Sequence, residues 1–279
     1  MNELLPRQAR VLRVEEQTPI EKLFQLDVNL NHRPGQFLEV SVAGVGEAPI
    51  SICSSPTRKP LEICVRRVGR VTGALHRLSP GAKVGIRGPY GNGFPMEEMK
   101  GSDLILVSGG LGMAPLRAVL QYALDNRKDY GELILLYGIR DYTLMLFKGE
   151  ITKLMDSKEC RVYLSYEKED EVCKKLKEKY PERVCEGVVT KLFGMVDLNP
   201  EAYAVVCGPP VMYRFVFKEL MDRNFPPERI YMTMERRMKC GIGKCRHCVV
   251  GAGTSMRYVC KDGPVFTGVD ALQLKGLIG

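Results

Sequence analysis

The sequence contains no run of eighteen apolar residues, and its first ten residues lack the apolar core of a signal peptide. Both absences predict a protein that neither crosses a membrane nor enters the secretory pathway, so we expect it to be cytoplasmic. There is also no internal repeat and no low-complexity tract, which argues against a repeat array or a disordered chain. A compact protein with an ordinary core is therefore expected.

The composition agrees with that expectation. The 279 residues are 45% hydrophobic and 27% charged, and this length suits about two domains. The net charge of +8 fits a solvated surface, a site for phosphorylated cofactors or an acidic partner, and nothing in the sequence resembles a nucleic-acid-binding module. Ten cysteines in a cytoplasmic chain indicate a metal or redox use for those that cluster.

Four cysteines lie close together near the C-terminus. Cys240, Cys245, Cys248 and Cys260 are spaced C-x4-C-x2-C-x11-C. The first three match the run that holds an iron–sulfur cluster in plant-type ferredoxins, where four thiolates bind two irons. Gly241 and Gly243 allow tight backbone turns whose amides point at sulfur. This spacing predicts a [2Fe–2S] site.

A zinc site is the main alternative, since zinc is often held by four cysteines. Zinc ligands usually come as two closely spaced pairs, and a triplet followed by a single cysteine fits that pattern less well. Four unconnected buried thiols are a poorer explanation, because unrelated cysteines do not group at ligand spacing beside paired glycines.

The first 95 residues read as short strands separated by turns. Apolar residues alternate with polar ones around residues 24–28, 38–42 and 61–65, and Pro-Gly or Gly-Pro pairs follow at intervals. This period of two is typical of half-buried strands and favours a small antiparallel barrel. Around residue 98 the pattern changes to continuous apolar runs followed by helical spacing, which predicts a doubly wound parallel sheet.

A glycine-rich loop follows the first of these apolar runs. Leu104–Val107 leads into Ser-Gly-Gly-Leu-Gly-Met-Ala-Pro, and an amphipathic helix comes next. A glycine turn between a strand and a helix lets the backbone approach a pyrophosphate at the helix N-terminus. We therefore expect this loop to contact a dinucleotide through Gly109, Gly110, Gly112, Ala114 and Pro115.

The C-terminal motif Glu-Arg-Arg-Met-Lys-Cys-Gly-Ile-Gly-Lys-Cys-Arg-His-Cys from residue 235, with Tyr-Val-Cys-Lys-Asp-Gly-Pro-Val-Phe from residue 258, resembles a known group of proteins. It is similar to the flavin and iron–sulfur electron-transfer subunits of the ferredoxin reductase superfamily. The gamma subunits of cytosolic NiFe hydrogenases resemble it most, followed by the corresponding subunits of anaerobic sulfite reductase and dihydroorotate dehydrogenase. The resemblance implies a flavin-binding barrel at 1–98, an NAD(P)-binding α/β domain at 99–233 and a [2Fe–2S] segment at 234–279.

The resemblance also implies a flavin site. Ala48-Pro-Ile-Ser-Ile stands where the superfamily carries Arg-x-Tyr-Ser, so its serine is matched, whereas its arginine and tyrosine are replaced by Ala48 and Ile50. By this alignment FAD lies against Pro49, Ile50, Ser51 and Ile52, and its diphosphate against Gly69, Val71 and Thr72. Arg66 and Arg67 are the residues placed to supply the missing positive charge, while Tyr90, in the glycine-rich turn at 88–94, either touches the flavin or packs.

A nicotinamide site is implied at the end of a later strand. In the superfamily the Cys-Gly-Pro turn, here Cys207, Gly208 and Pro209, faces the nicotinamide, and an acidic residue beside the flavin corresponds to Glu235. Arg140 follows the second strand of the sheet and is placed to meet a 2′-phosphate, whereas Glu167 after the third strand favours NADH. We predict a slight preference for NADH.

These parts predict an electron-transfer chain from NAD(P)H through FAD to the cluster. A hydride carries two electrons and the cluster accepts one, and flavin converts between them. Five basic residues surround the cluster cysteines: Arg236, Arg237, Lys239, Lys244 and Arg246. No residues for a terminal substrate are evident, so we expect a subunit that serves a separate catalytic protein, with a hydrogenase favoured over sulfite reductase or dihydroorotate dehydrogenase. The alternatives are a free-standing ferredoxin reductase and a nucleotide-binding scaffold with structural zinc.

Overall fold

The fold was analysed in a computed structural model that describes residues 4–274 and 276–277. The first part of the chain forms a six-stranded antiparallel sheet curled around its own core, in the order β4-β3-β6-β1-β2-β5. Its elements are β1 (Arg7–Glu16), β2 (Glu21–Asp27), β3 (Phe37–Val42), β4 (Gly46–Ser51), β5 (Leu61–Arg66), α1 (Arg70–Leu75) and β6 (Lys83–Tyr90). The alternation predicted from the sequence places Phe24, Leu26, Leu38 and Val40 in this core.

The second part is a doubly wound sheet with helices between its strands. Its elements are β7 (Leu104–Gly109), α2 (Met113–Asp125), β8 (Leu133–Ile139), α3 (Lys148–Asp156), β9 (Arg161–Tyr166), α4 (Glu171–Lys179), β10 (Val184–Glu186), β11 (Tyr203–Cys207), α5 (Pro210–Asp222) and β12 (Ile230–Thr233). All six residues of β7 are buried, as a parallel strand covered on both faces requires. The barrel followed by a parallel sheet confirms the predicted fold class.

The C-terminal part contains β13 (Val249–Val250), β14 (Arg257–Tyr258), α6 (Val259–Asp262), β15 (Val265–Thr267) and α7 (Gly268–Gln273). The seven-stranded order is β10-β9-β8-β7-β11-β12-β15, so this segment adds an edge strand, antiparallel to β12, to the second sheet. The sequence suggested an extension beyond the second domain, whereas the structure shows that the extension returns and completes that domain's sheet. Of the predicted divisions, positions 1–3, 275 and 278–279 lie outside the described residues.

The strand order creates a switch point between β7 and β11. The chain leaves β7 toward β8 on one side, whereas β11 and β12 lie on the other side. Open α/β sheets form a ligand crevice at the carboxyl ends of the strands at such a point. In this chain the crevice is formed by the glycine-rich loop after β7 and the Cys-Gly-Pro turn after β11. Among the described helices, none combines the length and apolar character needed to cross a bilayer.

Candidate functional site

The loop after β7 and the turn after β11 are in direct contact. A Cβ atom added to Gly112 would lie 2.6 Å from the Gly208 Cα atom and even closer to the Cys207 carbonyl oxygen. Gly110, by contrast, has φ +51° and would place a Cβ atom in open space. The two glycines therefore differ in role, because Gly112 allows close packing of two backbone segments and Gly110 leaves one face of the loop accessible.

A network of hydroxyl groups supports the turn after β11. The Gly208 N–H donates to the Tyr213 hydroxyl at 3.0 Å, and that hydroxyl lies 3.1 Å from the Thr233 Oγ1 atom. Cys207 is fully buried beside Thr233, and burial raises the pKa of its thiol to about 12. The thiol is therefore neutral at physiological pH. Cys207 lines neither of the two clefts described below, whereas Gly208 lines the second of them. Pro209 immediately precedes α5.

A cleft of about 460 Å³ lies between the barrel, the loop after β7 and the chain that follows β12. Eight residues predicted from the sequence as site residues line it: Pro49, Ile50, Ser51, Arg66, Thr72, Ala114, Pro115 and Glu235. The sequence did not single out several others: Phe37, Cys64, Leu111, Thr233, Met234, Met238 and Pro264. Leu111, Met238 and Pro264 lie within the motifs described above, although no site role was predicted for them, and the other four residues lie in no motif. We call this space the first cleft.

Three of the predicted flavin residues lie elsewhere. Ile52 is fully buried in the barrel core, and its N–H donates to the Gln36 carbonyl oxygen at 3.0 Å. Gly69 precedes α1, and the Thr72 hydroxyl accepts hydrogen bonds from the Val68 and Gly69 N–H groups, both at 3.0 Å. Val71 packs toward the barrel near Gly46. The Gly-Arg-Val-Thr stretch therefore begins a short helix beside the first cleft rather than forming an open loop.

Arg66 and Glu235 are two of the three charged residues that line the first cleft, and the third is Arg236. Arg66 Nε lies 2.5 Å from Glu21 Oε1, and the Arg66 side chain remains partly exposed while Glu21 is buried. Glu235 is exposed to the cleft, yet desolvation by the surrounding walls raises the pKa of its carboxyl group, and Arg66 opposes that rise. The cleft therefore contains one cation that is already oriented and one carboxyl group that retains a proton more readily than a solvated glutamate.

A second cleft, of about 420 Å³, adjoins the first. It is lined by Gly208 and the start of α5 and shares Met234, Glu235 and Arg236 with the first cleft. Glu235 therefore stands in the wall between the turn after β11 and the flavin motif of the barrel. The sequence predicts an acidic residue beside the flavin at this point in the chain, and Glu235 lines the same cleft as Pro49, Ile50 and Ser51.

Arg140 lies at the same carboxyl edge of the sheet but lines neither cleft. It follows β8 and is exposed, and its carbonyl oxygen accepts hydrogen bonds from the N–H groups of Glu167 at 3.1 Å and Lys168 at 2.7 Å. Arg140 and Glu167, the two residues considered for the choice between NADPH and NADH, are thus neighbours. Arg67 is exposed and lines neither cleft.

Three of the clustered cysteines lie in one loop at residues 240–248, which we call the cysteine loop, and Cys260 lies on α6. The Cys248 and Cys260 sulfur atoms lie 3.3 Å apart, and backbone N–H groups point at three of the sulfurs: Gly243 at Cys260 (3.1 Å), Cys245 at Cys240 (3.4 Å) and Cys260 at Cys248 (3.4 Å). Gly241 and Gly243 have φ of +74° and +79°, a backbone conformation that favours glycine. Within the described residues, no three His, Cys, Asp or Glu side chains converge on a single-ion site.

The environment of Cys240 favours a thiolate, whereas burial raises the pKa of the Cys260 thiol to about 12. Burial acts to raise the pKa of Cys240, but the N–H groups of Cys245, Ile242 and Lys244 outweigh it and lower that pKa to about 7. Cys248 and Cys260 are buried, whereas Cys245 is exposed. The five basic residues predicted around the cysteines are all exposed, as is His247. The amide donors and the exposure of Cys245 to solvent fit a thiolate-bound cluster that exchanges electrons at the protein surface.

Tyr90 contacts the cysteine loop and does not line the first cleft. Its ring packs against Phe37 at 5.9 Å between centroids, and a Cβ atom on Gly241 would lie 2.9 Å from the Tyr90 ring. Phe37 does line the first cleft. The Tyr90–Phe37 pair therefore fills the space between the cleft and the cysteine loop.

Comparisons with known proteins agree with this arrangement. Residues 106–218 match the oxidoreductase NAD-binding domain, and residues 235–271 match the iron-sulfur cluster binding domain of dihydroorotate dehydrogenase B. The chain is 52% identical to sulfhydrogenase 2 subunit gamma of Pyrococcus furiosus, with 100% of both chains covered. It is 33% identical to a probable dihydroorotate dehydrogenase B electron transfer subunit of Methanocella arvoryzae, covering 96% of this chain and 93% of that protein.

The fold has known relatives as well. The solved structure of an NADH-dependent reduced ferredoxin-NADP oxidoreductase superposes with a TM-score of 0.76, covers 94% of this chain and 88% of its own, and is 19% identical. At 19% identity this likeness shows the fold alone. The two sequence relatives, by contrast, align with this chain over nearly their full length, which includes its C-terminal segment. The chain therefore belongs to the family of electron-transfer subunits that includes the sulfhydrogenase gamma subunits and the electron-transfer subunits of dihydroorotate dehydrogenase B, and it has the ferredoxin reductase fold.

Proposed function

We propose that this chain is the NAD(P)H-dependent subunit of a hydrogenase-type complex, working in the cytoplasm with FAD in the first cleft and a [2Fe–2S] cluster on Cys240, Cys245, Cys248 and Cys260. One observation carries the proposal: the barrel, the nucleotide loop and the segment leading to the cysteines all line one cleft. When bound, FAD supplies the exchange between two-electron hydride transfer and one-electron transfer. The 52% identity to a sulfhydrogenase gamma subunit supports a hydrogenase partner.

The residues of the first cleft have distinct tasks in this proposal. Pro49, Ile50 and Ser51 present strand β4 to the flavin ring, and Arg66 offers its cation to the diphosphate while Glu21 fixes its orientation. This assigns to Arg66 the charge that the superfamily's motif arginine provides. Gly110 leaves the nucleotide loop open for the pyrophosphate of NAD(P)H.

Glu235 and Gly208 stand where the nicotinamide is proposed to meet the flavin. Gly208 is held by the Tyr213 hydroxyl, so the turn keeps its shape without cofactor. The raised pKa of Glu235 allows its carboxyl group to hold a proton closer to neutral pH than a solvated glutamate. The buried Cys207 thiol shapes the floor of the turn and takes no proton in this proposal.

The surface around Cys245 is the proposed exit for electrons. Cys245 is exposed, and the five basic residues near it are exposed as well. A basic rim attracts an acidic partner surface and raises its rate of association, an effect that added salt weakens. We infer that the partner is an acidic iron–sulfur or catalytic subunit that covers this rim.

A matched pair of variants tests the proposal. Cys245→Ser removes a proposed cluster ligand, while Cys185→Ser removes a half-buried thiol on β10. In anaerobically purified protein, wild type and Cys185→Ser should contain about two irons and two sulfides per chain, and Cys245→Ser should lose them. Cys245→Ser should keep its FAD and its NADH-dependent reduction of a dye that accepts electrons from flavin, yet fail to reduce the co-purified partner.

Other results would overturn parts of the proposal. Stoichiometric zinc in the wild type contradicts the cluster, and FMN in place of FAD contradicts the diphosphate role of Arg66. A higher kcat/KM with NADPH than with NADH contradicts the preference expected from Glu167. If the chain purifies alone from its native cell and reduces soluble ferredoxin at about 1 to 1,000 per second, it is a free-standing reductase.

A further inference from the structure

The glycine-rich turn at 88–94 contacts the C-terminal segment that carries the cysteines. The Asn92 N–H donates to the Gly263 carbonyl oxygen at 2.7 Å. The Asn92 side chain pairs with the Val265 backbone, donating to its carbonyl oxygen at 2.8 Å and accepting from its N–H at 3.1 Å. This contact anchors the chain just after Cys260. A second contact, through Arg87, anchors the Cys240 end of the cysteine loop.

Arg87 is buried, with 6% of its surface exposed, and contacts three groups. Its Nη2 and Nε atoms donate to the two carboxylate oxygens of Glu47 at 2.6 and 3.1 Å. Its Nη1 atom donates to the Tyr90 hydroxyl at 3.1 Å and to the Cys240 carbonyl oxygen at 3.2 Å. The fork held by Glu47 fixes the plane of the guanidinium and aims Nη1 at the cysteine loop.

The loop has little freedom to move on this surface. Gly241 packs so closely that an added Cβ atom would lie 2.9 Å from the Tyr90 ring and 3.1 Å from the Glu39 Cγ atom. Its positive φ also requires glycine. The backbone at Cys240 is therefore held against β3 and β6 by the Arg87 hydrogen bond and by the close packing of Gly241, so its position depends on the guanidinium.

We propose that Arg87 is a positioning residue for the iron–sulfur cluster: it fixes the Cys240 end of the loop on the flavin barrel, and its buried charge raises the reduction potential of the cluster. This inference rests on the proposed function. A thiolate-bound cluster is anionic, and a nearby cation stabilises its reduced form. The five basic residues of the rim are exposed and screened by water and salt, whereas Arg87 is buried and screened much less.

Lysine cannot replace Arg87 fully. An ammonium group keeps the charge but lacks the planar fork that holds Glu47 with one edge and donates to Cys240 with the remaining nitrogen. Charge and orientation can therefore be separated by experiment. Arg87→Gln removes both, Arg87→Lys keeps only the charge, and Arg246→Gln removes a cation from the exposed rim as the matched control.

The test is an EPR-monitored redox titration of the cluster in the complete, cofactor-loaded protein, with iron and flavin contents measured on the same samples. We expect a more negative cluster potential in Arg87→Gln, an intermediate one in Arg87→Lys and a smaller change in Arg246→Gln that disappears in high salt. Flavin content should stay unchanged. Full iron content with an unchanged potential in Arg87→Gln would overturn the proposal.

If Arg87→Gln does not retain its cluster, a second variant, Glu47→Gln, tests the electrostatic part of the proposal. Loss of iron supports the positioning role, and Glu47→Gln then tests the charge, because it removes the anion that offsets Arg87 and should make the potential more positive. An unchanged potential in Glu47→Gln would refute the electrostatic part. Wild-type protein that contains zinc in place of iron would instead refute the proposed function itself, so the two failures are distinguishable.

Discussion

Glu39 on β3 is a buried carboxyl group whose removal should change the pH dependence of stability. It is 1% exposed, and neither carboxylate oxygen has a hydrogen-bond partner among the described residues. Burial, reinforced by Glu47 and Cys240 and opposed by Arg87, raises the pKa of Glu39 from 4.5 to about 8. Glu39→Gln keeps the shape of the side chain and removes its titration.

The size of the effect follows from the two pKa values. Between pH 4.5 and 8 the folded chain keeps a proton that the unfolded chain has released, so stability falls as pH rises through this window. The difference of about 3.5 between the two pKa values, at about 1.36 kcal/mol per pH unit, corresponds to a loss of about 5 kcal/mol in the free energy of unfolding over the whole window. About 2 kcal/mol of this is lost by pH 6, so the wild type should lose about 3 kcal/mol more than Glu39→Gln between pH 6 and pH 9.

Denaturant unfolding of both proteins at pH 6 and pH 9 measures this difference. Glu182→Gln, at an exposed position, is the control for loss of one carboxylate. Difference infrared spectroscopy of the native protein provides a second measurement, since the band of a protonated carboxyl group should disappear near pH 8 in the wild type and be absent from Glu39→Gln. An equal stability difference at both pH values, with no such band, would show that Glu39 is ionised in the fold.

Three further predictions concern contacts that position the site. Gly112→Ala would force the nucleotide loop away from Gly208 and should raise the KM for NAD(P)H about tenfold in steady-state assays, the equivalent of about 1.4 kcal/mol. Asp170→Ala removes acceptors for the N–H groups at the start of α4 and should cost about 1 to 2 kcal/mol in denaturant unfolding at pH 7, with less cost for Asp170→Asn. Arg117→Ala removes the cation 2.6 Å from the buried Glu62 and leaves that carboxylate with only the Gln25 amide as a side-chain donor among the described residues, so it should cost about 3 to 5 kcal/mol in the same assay.

Each of these has a result that would contradict it. Gly149→Ala, at a position with open space for a Cβ atom, is the control for Gly112→Ala and should leave KM unchanged. Desolvation raises the pKa of Asp170 less than its backbone donors lower it, so its contribution should be lost only in acid, as pH falls through the lowered value; a loss near neutral pH would refute the capping role. If Arg117→Ala costs no more than an exposed arginine, the domain contact at Glu62 is not buried in solution.

The sequence by itself was sufficient for features that depend on neighbours along the chain. The period of two in the first 95 residues and the buried runs after residue 98 determine the strands, because a strand's faces alternate and a central parallel strand is covered on both sides. The C-x4-C-x2-C spacing keeps three potential ligands within one loop. The glycine-rich loop after β7 is equally local, since its position between a strand and a helix follows from periodicity alone.

Only the tertiary structure decided which distant groups meet. Arg87 and the Cys240 carbonyl oxygen are 153 residues apart, and neither carries a sequence signal for the other. The sequence predicted a dinucleotide contact for Gly112, and the fold shows a different role for this glycine, the close packing of its loop on Cys207. Phe37 and Met234 reach the first cleft because β3 and the end of β12 converge there. Such contacts depend on how whole sheets pack, and no local pattern of residues encodes that packing.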